Sequence, residues 1–190
     1  MKLSVKGFEI YSGYLDSAAQ RLLLAAVRGV VSKAPFFRPV MPNGKPLSVR
    51  MTAAGRYGWL SDRQGYRYAD THPSGEAWPA IPPEGLERLP ECCLVNYYGA
   101  EAKMGLHRDS DEADMQWPVV SISLGDEGLF RMGNVTRGGK TESIWLRSGD
   151  VVVMGGDARL AYHGVDRIRA GSSKLLPKGG RLNLTLRVVT

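Results

Sequence analysis

Cysteine is nearly missing from this sequence. There are two, Cys92 and Cys93. Being neighbours, they cannot build a disulfide framework, and no Cys-x-x-Cys pair exists to hold zinc. They read as small residues of a buried strand in a reducing compartment. Long apolar runs are missing too. The start, Met1-Lys2-Leu3-Ser4-Val5-Lys6, contains nothing that resembles a secretory signal. Runs such as Leu22 to Val27 are far too short to span a membrane. A cytoplasmic protein with no membrane partner is expected. Histidine is scarce, with three residues in all, and no internal repeat, low-complexity tract, interdomain linker or dimer signal is visible. Acidic residues are outnumbered by basic ones, 19 against 25, for a formal charge of +6. That balance suits a polyanionic partner and suits plain solubility equally.

What is present fits an ordinary globular chain. A length of 190 residues with 43% hydrophobic and 23% charged residues suffices for one domain with a proper core. Glycine and proline, 23 and 11 residues spread along the chain, favour many short strands and turns over a helix bundle. Phe8 to Tyr14 reads as a strand and turn. A helix follows, with Ser17 as its cap and Gln20 reaching back in a capping box. Leu22, Leu23, Ala26, Val27, Val30 and Val31 form its apolar face, and Pro35 ends it. This helix is expected to cover one face of a sheet.

Residues 38 to 90 show little periodicity and many punctuators: Pro39, Pro42, Asn43-Gly44, Pro46, Pro73, Pro79, Pro82-Pro83 and Pro90. Tyr57, Trp59, Tyr66, Tyr68 and Trp78 are interleaved there with Arg50, Arg56, Arg63 and Arg67. Such a segment suits a recognition surface, although most of these rings are expected to anchor loops to the core. From Cys92 onward the pattern is short strands: Cys92 to Tyr98, Val119 to Leu124, Gly128 to Met132, Ser143 to Leu146, Val151 to Met154 and Arg181 to Val189. Glycine turns separate them and no helix intervenes, which implies an antiparallel sandwich or jelly roll.

The chemistry begins at His107-x-Asp109. In an extended strand, residues two apart share a face, so one imidazole and one carboxylate could grip one ion. His163, in Ala161-Tyr162-His163-Gly164-Val165, would complete a set of two histidines and one carboxylate. That set suits non-haem Fe(II) with open positions, with hydrolytic zinc as the competitor. His72 joins no pattern. The last strand bears on the choice. Leu182, Leu184 and Leu186 share one face, and Arg181, Asn183, Thr185 and Arg187 share the other. That polar face could simply meet water. Two guanidinium forks on one face also suit a dicarboxylate, the co-substrate that separates a 2-oxoglutarate oxygenase from a zinc hydrolase.

These motifs resemble the AlkB family of Fe(II)/2-oxoglutarate-dependent dioxygenases. The matching residues are Asn96-x-Tyr98, His107-x-Asp109-x-Asp111-Glu112, Val120-Ser121-Ile122-Ser123-Leu124-Gly125, Gly149-Asp150-Val151-Val152-Val153, Tyr162-His163-Gly164 and Arg181-x-Asn183-Leu184-Thr185-x-Arg187. Upstream, Gly58-Trp59 and Arg63-Gln64-Gly65-Tyr66-x-Tyr68 match as well, so the resemblance spans about residues 36 to 187. It implies a mainly β (α+β) fold, a double-stranded β-helix or jelly roll with an N-terminal covering helix and a nucleotide-recognition lid. Helix and lid would occupy residues 1–90 and the catalytic core 91–190 of a single domain.

The resemblance further implies that His107, Asp109 and His163 bind Fe(II) and are catalytic. Arg181, Tyr98 and Asn183 would hold the far carboxylate of 2-oxoglutarate, and Arg187 with Asn96 the near one. With O2 these would drive oxidative demethylation of bases such as 1-methyladenine and 3-methylcytosine, releasing formaldehyde. The partner would be alkylated DNA, single-stranded or with a flipped base, and RNA as a further candidate. Trp59 would stack on the base, Asp111 would favour a cationic base, and Tyr66 and Tyr68 would contact the backbone or order the lid. Arg137 and Lys103 are candidate phosphate or pocket contacts, and Met51, Ile122 and Met154 candidate pocket walls. A monomer is expected. The alternatives are a 2-oxoglutarate oxygenase with a non-nucleic-acid substrate and a non-catalytic nucleic-acid-binding module.

Overall fold

The computed structural model describes residues 1–81 and 90–190; Pro82-Pro83 lie outside the described residues. In chain order the elements are β1 (Lys2–Val5), β2 (Phe8–Tyr11), α1 (Ser17–Lys33), β3 (Arg50–Gly55), β4 (Gly58–Asp62), β5 (Gly65–Ala69), β6 (Cys92–Tyr98), β7 (Met104–His107), β8 (Val119–Gly125), β9 (Glu127–Met132), β10 (Glu142–Leu146), β11 (Val151–Met154), β12 (His163–Arg169) and β13 (Arg181–Arg187). A seven-stranded sheet runs β1-β2-β11-β8-β13-β6-β3, a four-stranded sheet runs β10-β9-β12-β7, and β4 pairs with β5. The pairings are antiparallel. This is the jelly roll anticipated from the strand pattern.

The alternation of β13 dictates its two environments. Leu182 and Leu184 pack with Leu24, Val27 and Val30 of α1, together with Val95 and Leu124. Burying each such side chain is worth about 1.5–3 kcal/mol. Being central in its sheet, flanked by β6 and β8, β13 must then turn Arg181, Asn183, Thr185 and Arg187 to the other face. All four are buried, so this polar face does not meet water. The space it faces is closed by a second apolar cluster that includes Phe8, Ile10, Leu94, Phe130, Met132, Val152 and Val165. β13 thus carries a buried polar strip into the space between the sheets.

Several local expectations are corrected. The helix cap is Asp16, whose carboxylate accepts from Ala19 N, and not Ser17. Asp16 wins because its carboxylate already reaches the third following N–H. Gln20 is drawn away from the capping box: its Nε2 donates to the Leu15 carbonyl, 2.8 Å, and its Oε1 accepts from Ser148 Oγ, 2.7 Å. Leu22 is 74% exposed and Leu24, two positions on, takes its place on the buried face beside Val27 and Val30, a difference that periodicity alone does not fix. Residues 38–90 hold three strands, not only loops. β3 extends the large sheet through β6, and β1 and β2 extend its other end. β1 and β12 were not legible as strands. Trp78 and His72 are structural. Trp78 is buried, and His72 bonds the Pro35 carbonyl through Nε2 and Ser74 through Nδ1.

Cys92 and Cys93 are free and buried, as a reducing compartment would allow. Burial pushes the Cys92 thiol up to about 12 and raises that of Cys93 as well. Since the thiolate is the nucleophile, the native protein at pH 8 should give no reaction with an aromatic disulfide reagent. Denaturation should release both thiols. Rapid native labelling, followed by absorbance of the released thiolate, would contradict this burial.

Candidate active site

Strand β12 begins at His163, and β7 ends at His107; the two residues face each other in register. Asp109 lies two residues beyond the end of β7, outside any strand. The pair is thus a strand end plus a loop residue, where one strand had been expected to carry both. The three side chains still converge. Asp109 Oδ1 is 3.8 Å from His107 Nε2 and Oδ2 is 3.8 Å from His163 Nε2, and one ligand atom from each lies within 4.8 Å of the others. No other group of three such side chains is found among the described residues.

The hydrogen bonds prepare both rings. His107 Nδ1 faces the Gly105 carbonyl at 2.9 Å and His163 Nδ1 faces the Ala161 carbonyl at 3.0 Å. A carbonyl can only accept, so each Nδ1 carries a proton and each Nε2 is turned to the cluster. Burial, then the neighbouring His107, lowers His163 to about 4, so it is neutral at neutral pH. Burial works against the Asp109 carboxylate, but the Arg187 guanidinium, with His163 and His107, holds it well below the usual range. Neutral imidazoles and an ionised carboxylate are the states a metal requires. The donor set fits Fe(II).

Around Asp109 is a buried charge network. Arg187 Nη2 donates to Asp109 Oδ2 at 2.8 Å, and Arg187 Nη1 meets the Tyr68 hydroxyl at 3.1 Å. The Tyr68 hydroxyl bonds Glu112 Oε1, which lies 3.6 Å from Arg187 Nε. Arg159 completes the group at Glu112 Oε2, 3.0 Å. These bonds turn the Tyr68 hydroxyl inward, toward Glu112 and Arg187. Tyr66 is 54% exposed and stacks on Trp59 with ring centroids 5.5 Å apart and planes 16° apart. The Trp59 indole N–H donates to Asp111 Oδ2 at 2.8 Å. These contacts tie the β4–β5 hairpin to the segment that follows Asp109.

At the other end of β13, Arg181 is 1% exposed. Its Nη2 donates to Ser123 Oγ at 2.9 Å and the guanidinium lies 5.4 Å from the Tyr98 ring centre. Its Nε and Nη1 have no partner, and neither has Asn96 Oδ1 or, as a hydrogen-bond donor, Arg187 Nε. Buried polar atoms without partners are costly, and these, on β13 and the adjacent β6, mark where a polar ligand belongs. Two free guanidinium nitrogens suit one carboxylate. The Asn96 amide, turned by 180°, would offer its NH2 instead of its oxygen. Residues 181 and 187 are about 20 Å apart along the strand, and their long side chains reach inward from both ends. The residues present therefore fit 2-oxoglutarate, with the metal at the Arg187 end. Asn183 is less available than expected: its Nδ2 donates to Ser121 Oγ at 2.6 Å.

The remaining expectations are mixed. Met51 and Met154 are buried in the inter-sheet core. Ile122 packs on the α1 side of the large sheet and lines no space beside the histidine cluster, because the alternation of β8 gives the inner face to Ser121 and Ser123. Arg137 is exposed and lies 5.9 Å from the Tyr162 ring centre, with Arg108 at 5.8 Å from the same ring. Lys103 pairs through its backbone with Ser48. Residues that sequence reasoning missed are Ser121, Ser123, Gly128, Asp126 and Arg159. The serines carried a signal, being two small polar residues alternating within an apolar strand. Asp126 carried none; it is 1% exposed and accepts from Gly180 N at 2.8 Å and Ser173 N at 3.0 Å. It thereby fixes the turn that launches β13 at Arg181, a turn in which Gly180 has φ +90°.

A jelly roll with this cluster at the meeting point of β7 and β12 falls in the class of non-haem iron oxygenases, and the arginine cradle narrows it to those using 2-oxoglutarate. The sequence profile of the 2OG-Fe(II) oxygenase superfamily matches residues 7–187. An alpha-ketoglutarate-dependent dioxygenase AlkB homolog of Caulobacter vibrioides is 53% identical over 193 residues, covering 96% of this chain and 88% of that one. A DNA N(6)-methyladenine demethylase, ALKBH1C of Arabidopsis thaliana, is 30% identical over 224 residues, 95% of this chain and 48% of its own. The solved structure of OsALKBH1 superposes with a TM-score of 0.82 at 30% identity, covering 98% of this chain and 99% of that chain. The chain belongs to the AlkB family of the 2OG-Fe(II) oxygenase superfamily, a dioxygenase that takes Fe(II), 2-oxoglutarate and O2.

Proposed function

We propose that this protein reverses N-alkylation of nucleobases in DNA, with RNA as a second substrate, by oxidative demethylation. The observation that carries the reading is the buried strip of β13, where a partly unpartnered Arg181 lies on the same face as the Arg187 that pairs with Asp109. His107, Asp109 and His163 would hold Fe(II). Arg181 would hold the far carboxylate of 2-oxoglutarate beside Tyr98, and Asn96, Asn183 and Arg187 would line the rest of its length. Bound iron and 2-oxoglutarate supply, with O2, the oxidation of the N-methyl carbon, which leaves as formaldehyde while succinate and CO2 are formed.

The chain's own work is placement. Tyr66 stacks on Trp59, and Trp59 would be the ring that takes a flipped base, where stacking is worth about 1–3 kcal/mol. Asp111, fixed by its bond from the Trp59 indole, favours a base that N-alkylation has made cationic. Tyr68 joins the lid to the charge network that holds Asp109. Arg137, exposed beside Tyr162, would meet a phosphate. The net charge of +6 suits the polyanion. We place the protein in the cytoplasm as a monomer, one domain in which residues 1–90 bring helix and lid and 91–190 the core. No helix among the described residues is long and apolar enough to cross a membrane.

Incubation with Fe(II), 2-oxoglutarate, ascorbate and a 1-methyladenine oligonucleotide should yield formaldehyde and the unmodified base. Succinate formation without repair of any alkylated base would sink the nucleic-acid reading and keep the oxygenase. A milder probe is Gly128→Ala. A Cβ there would lie 2.9 Å from both Cδ and Nε of Arg181, so the methyl must displace the guanidinium. The KM for 2-oxoglutarate should rise roughly tenfold, the equivalent of one misplaced hydrogen-bond partner, while metal binding holds. An unchanged KM would mean that Arg181 does not meet the co-substrate.

A further inference from the structure

We propose that Arg159 is a positioning residue of the metal site, holding Asp109 in place through its backbone and linking it to the lid. The inference rests on the metal-site reading above. Asp109 lies in the connection between β7 and β8, where no sheet ladder fixes the chain. A loop residue that must present a carboxylate to two imidazoles needs some other constraint. Arg159 supplies it at both ends of the connection. Its Nη1 donates to the Asp109 carbonyl at 2.7 Å and its Nε to the Trp117 carbonyl at 2.8 Å. Its Nη2 donates to Glu112 Oε2 at 3.0 Å, between those two points. The middle is pinned separately, by Ala113 N on the Val189 carbonyl at 2.9 Å.

The geometry excludes a direct role for this arginine. It is 4% exposed, and Nε, Nη1 and Nη2 each donate to a protein group, so the side chain is committed to the protein and not turned to substrate. Charged donors to carbonyls in a dry interior are among the stronger hydrogen bonds. Arg159 follows the short 3-10 turn Gly156–Ala158 and stands four residues before His163. One short segment therefore delivers a metal-binding imidazole and also clamps the loop that carries the carboxylate. Glu112 extends the clamp. Its side chain is 1% exposed, and it is shared by Arg159, Arg187 and the lid residue Tyr68. Asp109 is thus held twice, by Arg187 at its carboxylate and by Arg159 at its carbonyl.

Titration of Mn(II), followed by the loss of the free-ion electron paramagnetic resonance signal, tests this on the parent, Arg159→Met and Arg159→Lys. Loss of an outer residue that orients a ligand typically weakens metal binding by about 10–100-fold. Arg159→Met should fall in that range at a temperature where circular dichroism shows it fully folded. Arg159→Lys keeps the charge but loses the fork, and should fall between parent and Arg159→Met; if Arg159→Met does not fold, Arg159→Lys decides alone. Affinity within twofold of the parent in a folded variant would overturn the proposal and leave Arg159 a role in stability only. A parent that binds no Mn(II) would overturn the metal-site reading itself, which is a different result from a parent and variant that bind equally.

Discussion

Arg181→Ala is expected to raise the dissociation constant for 2-oxoglutarate by roughly 30- to 4,000-fold, which corresponds to about 2–5 kcal/mol for a carboxylate left buried without its charge partner. Mn(II) affinity in the absence of 2-oxoglutarate should hold, since Arg181 stands at the opposite end of β13 from Arg187, the strand residue bonded to Asp109. The same substitution has an unusual consequence for stability. Arg181 is buried with two unpartnered nitrogens, and its burial lowers its pKa against the pull of Tyr98 and Asp150. A buried charge that lacks full compensation opposes folding. Arg181→Met, close in volume and apolar, should leave the melting temperature of the ligand-free protein unchanged or higher while abolishing co-substrate binding. Calorimetric titration with 2-oxoglutarate and a thermal melt of the same sample check both halves. A large drop in melting temperature with intact 2-oxoglutarate binding would show that Arg181 is structural.

Asp109→Ala should be the more severe change. It removes the acidic ligand of the cluster, so formaldehyde release should fall to background while oligonucleotide binding persists. It also leaves Arg187 facing a gap. Breaking a buried pair costs about 3–5 kcal/mol. The low end applies here, because Glu112 remains 3.6 Å from Arg187 Nε. Metal linkage gives a sharper readout. A ligand present at a hundred times its dissociation constant adds about 2.7 kcal/mol to stability, so the parent should melt higher with Mn(II) and Asp109→Ala should not. An Asp109→Ala protein still stabilised by Mn(II) would place the metal elsewhere.

The particular residues show how far sequence reaches. His107, Asp109 and His163 were legible as a candidate set, because the motifs shared with the AlkB family join a His-x-Asp pair that is weak by itself to a distant His163. The strand that carries the arginines was legible because alternation at period two needs no tertiary information. The cap at Asp16 in place of Ser17, the rotation that buries Leu24 and exposes Leu22, and the outward turn of Ile122 were not. Each differs from its expectation by one or two positions, and a difference that small is what a neighbouring element decides. Arg159 carried no signal because its partners are the carbonyls of Asp109 and Trp117, and a backbone carbonyl leaves no mark in the sequence.

The sequence therefore supplied the class of fold and the polar face of the last strand from residue type and local period, and a candidate metal-binding set through its resemblance to the AlkB family. Only the tertiary structure decided which side of that strand is buried. α1 covers the leucine face, β13 lies in the middle of its sheet, and the arginines are forced into the interior, where the guanidinium nitrogens left without partners suit a ligand. Likewise only the fold brought Arg159, Glu112 and Tyr68 to Asp109, because charged groups far apart in sequence can compensate one another only after the chain has removed them from water.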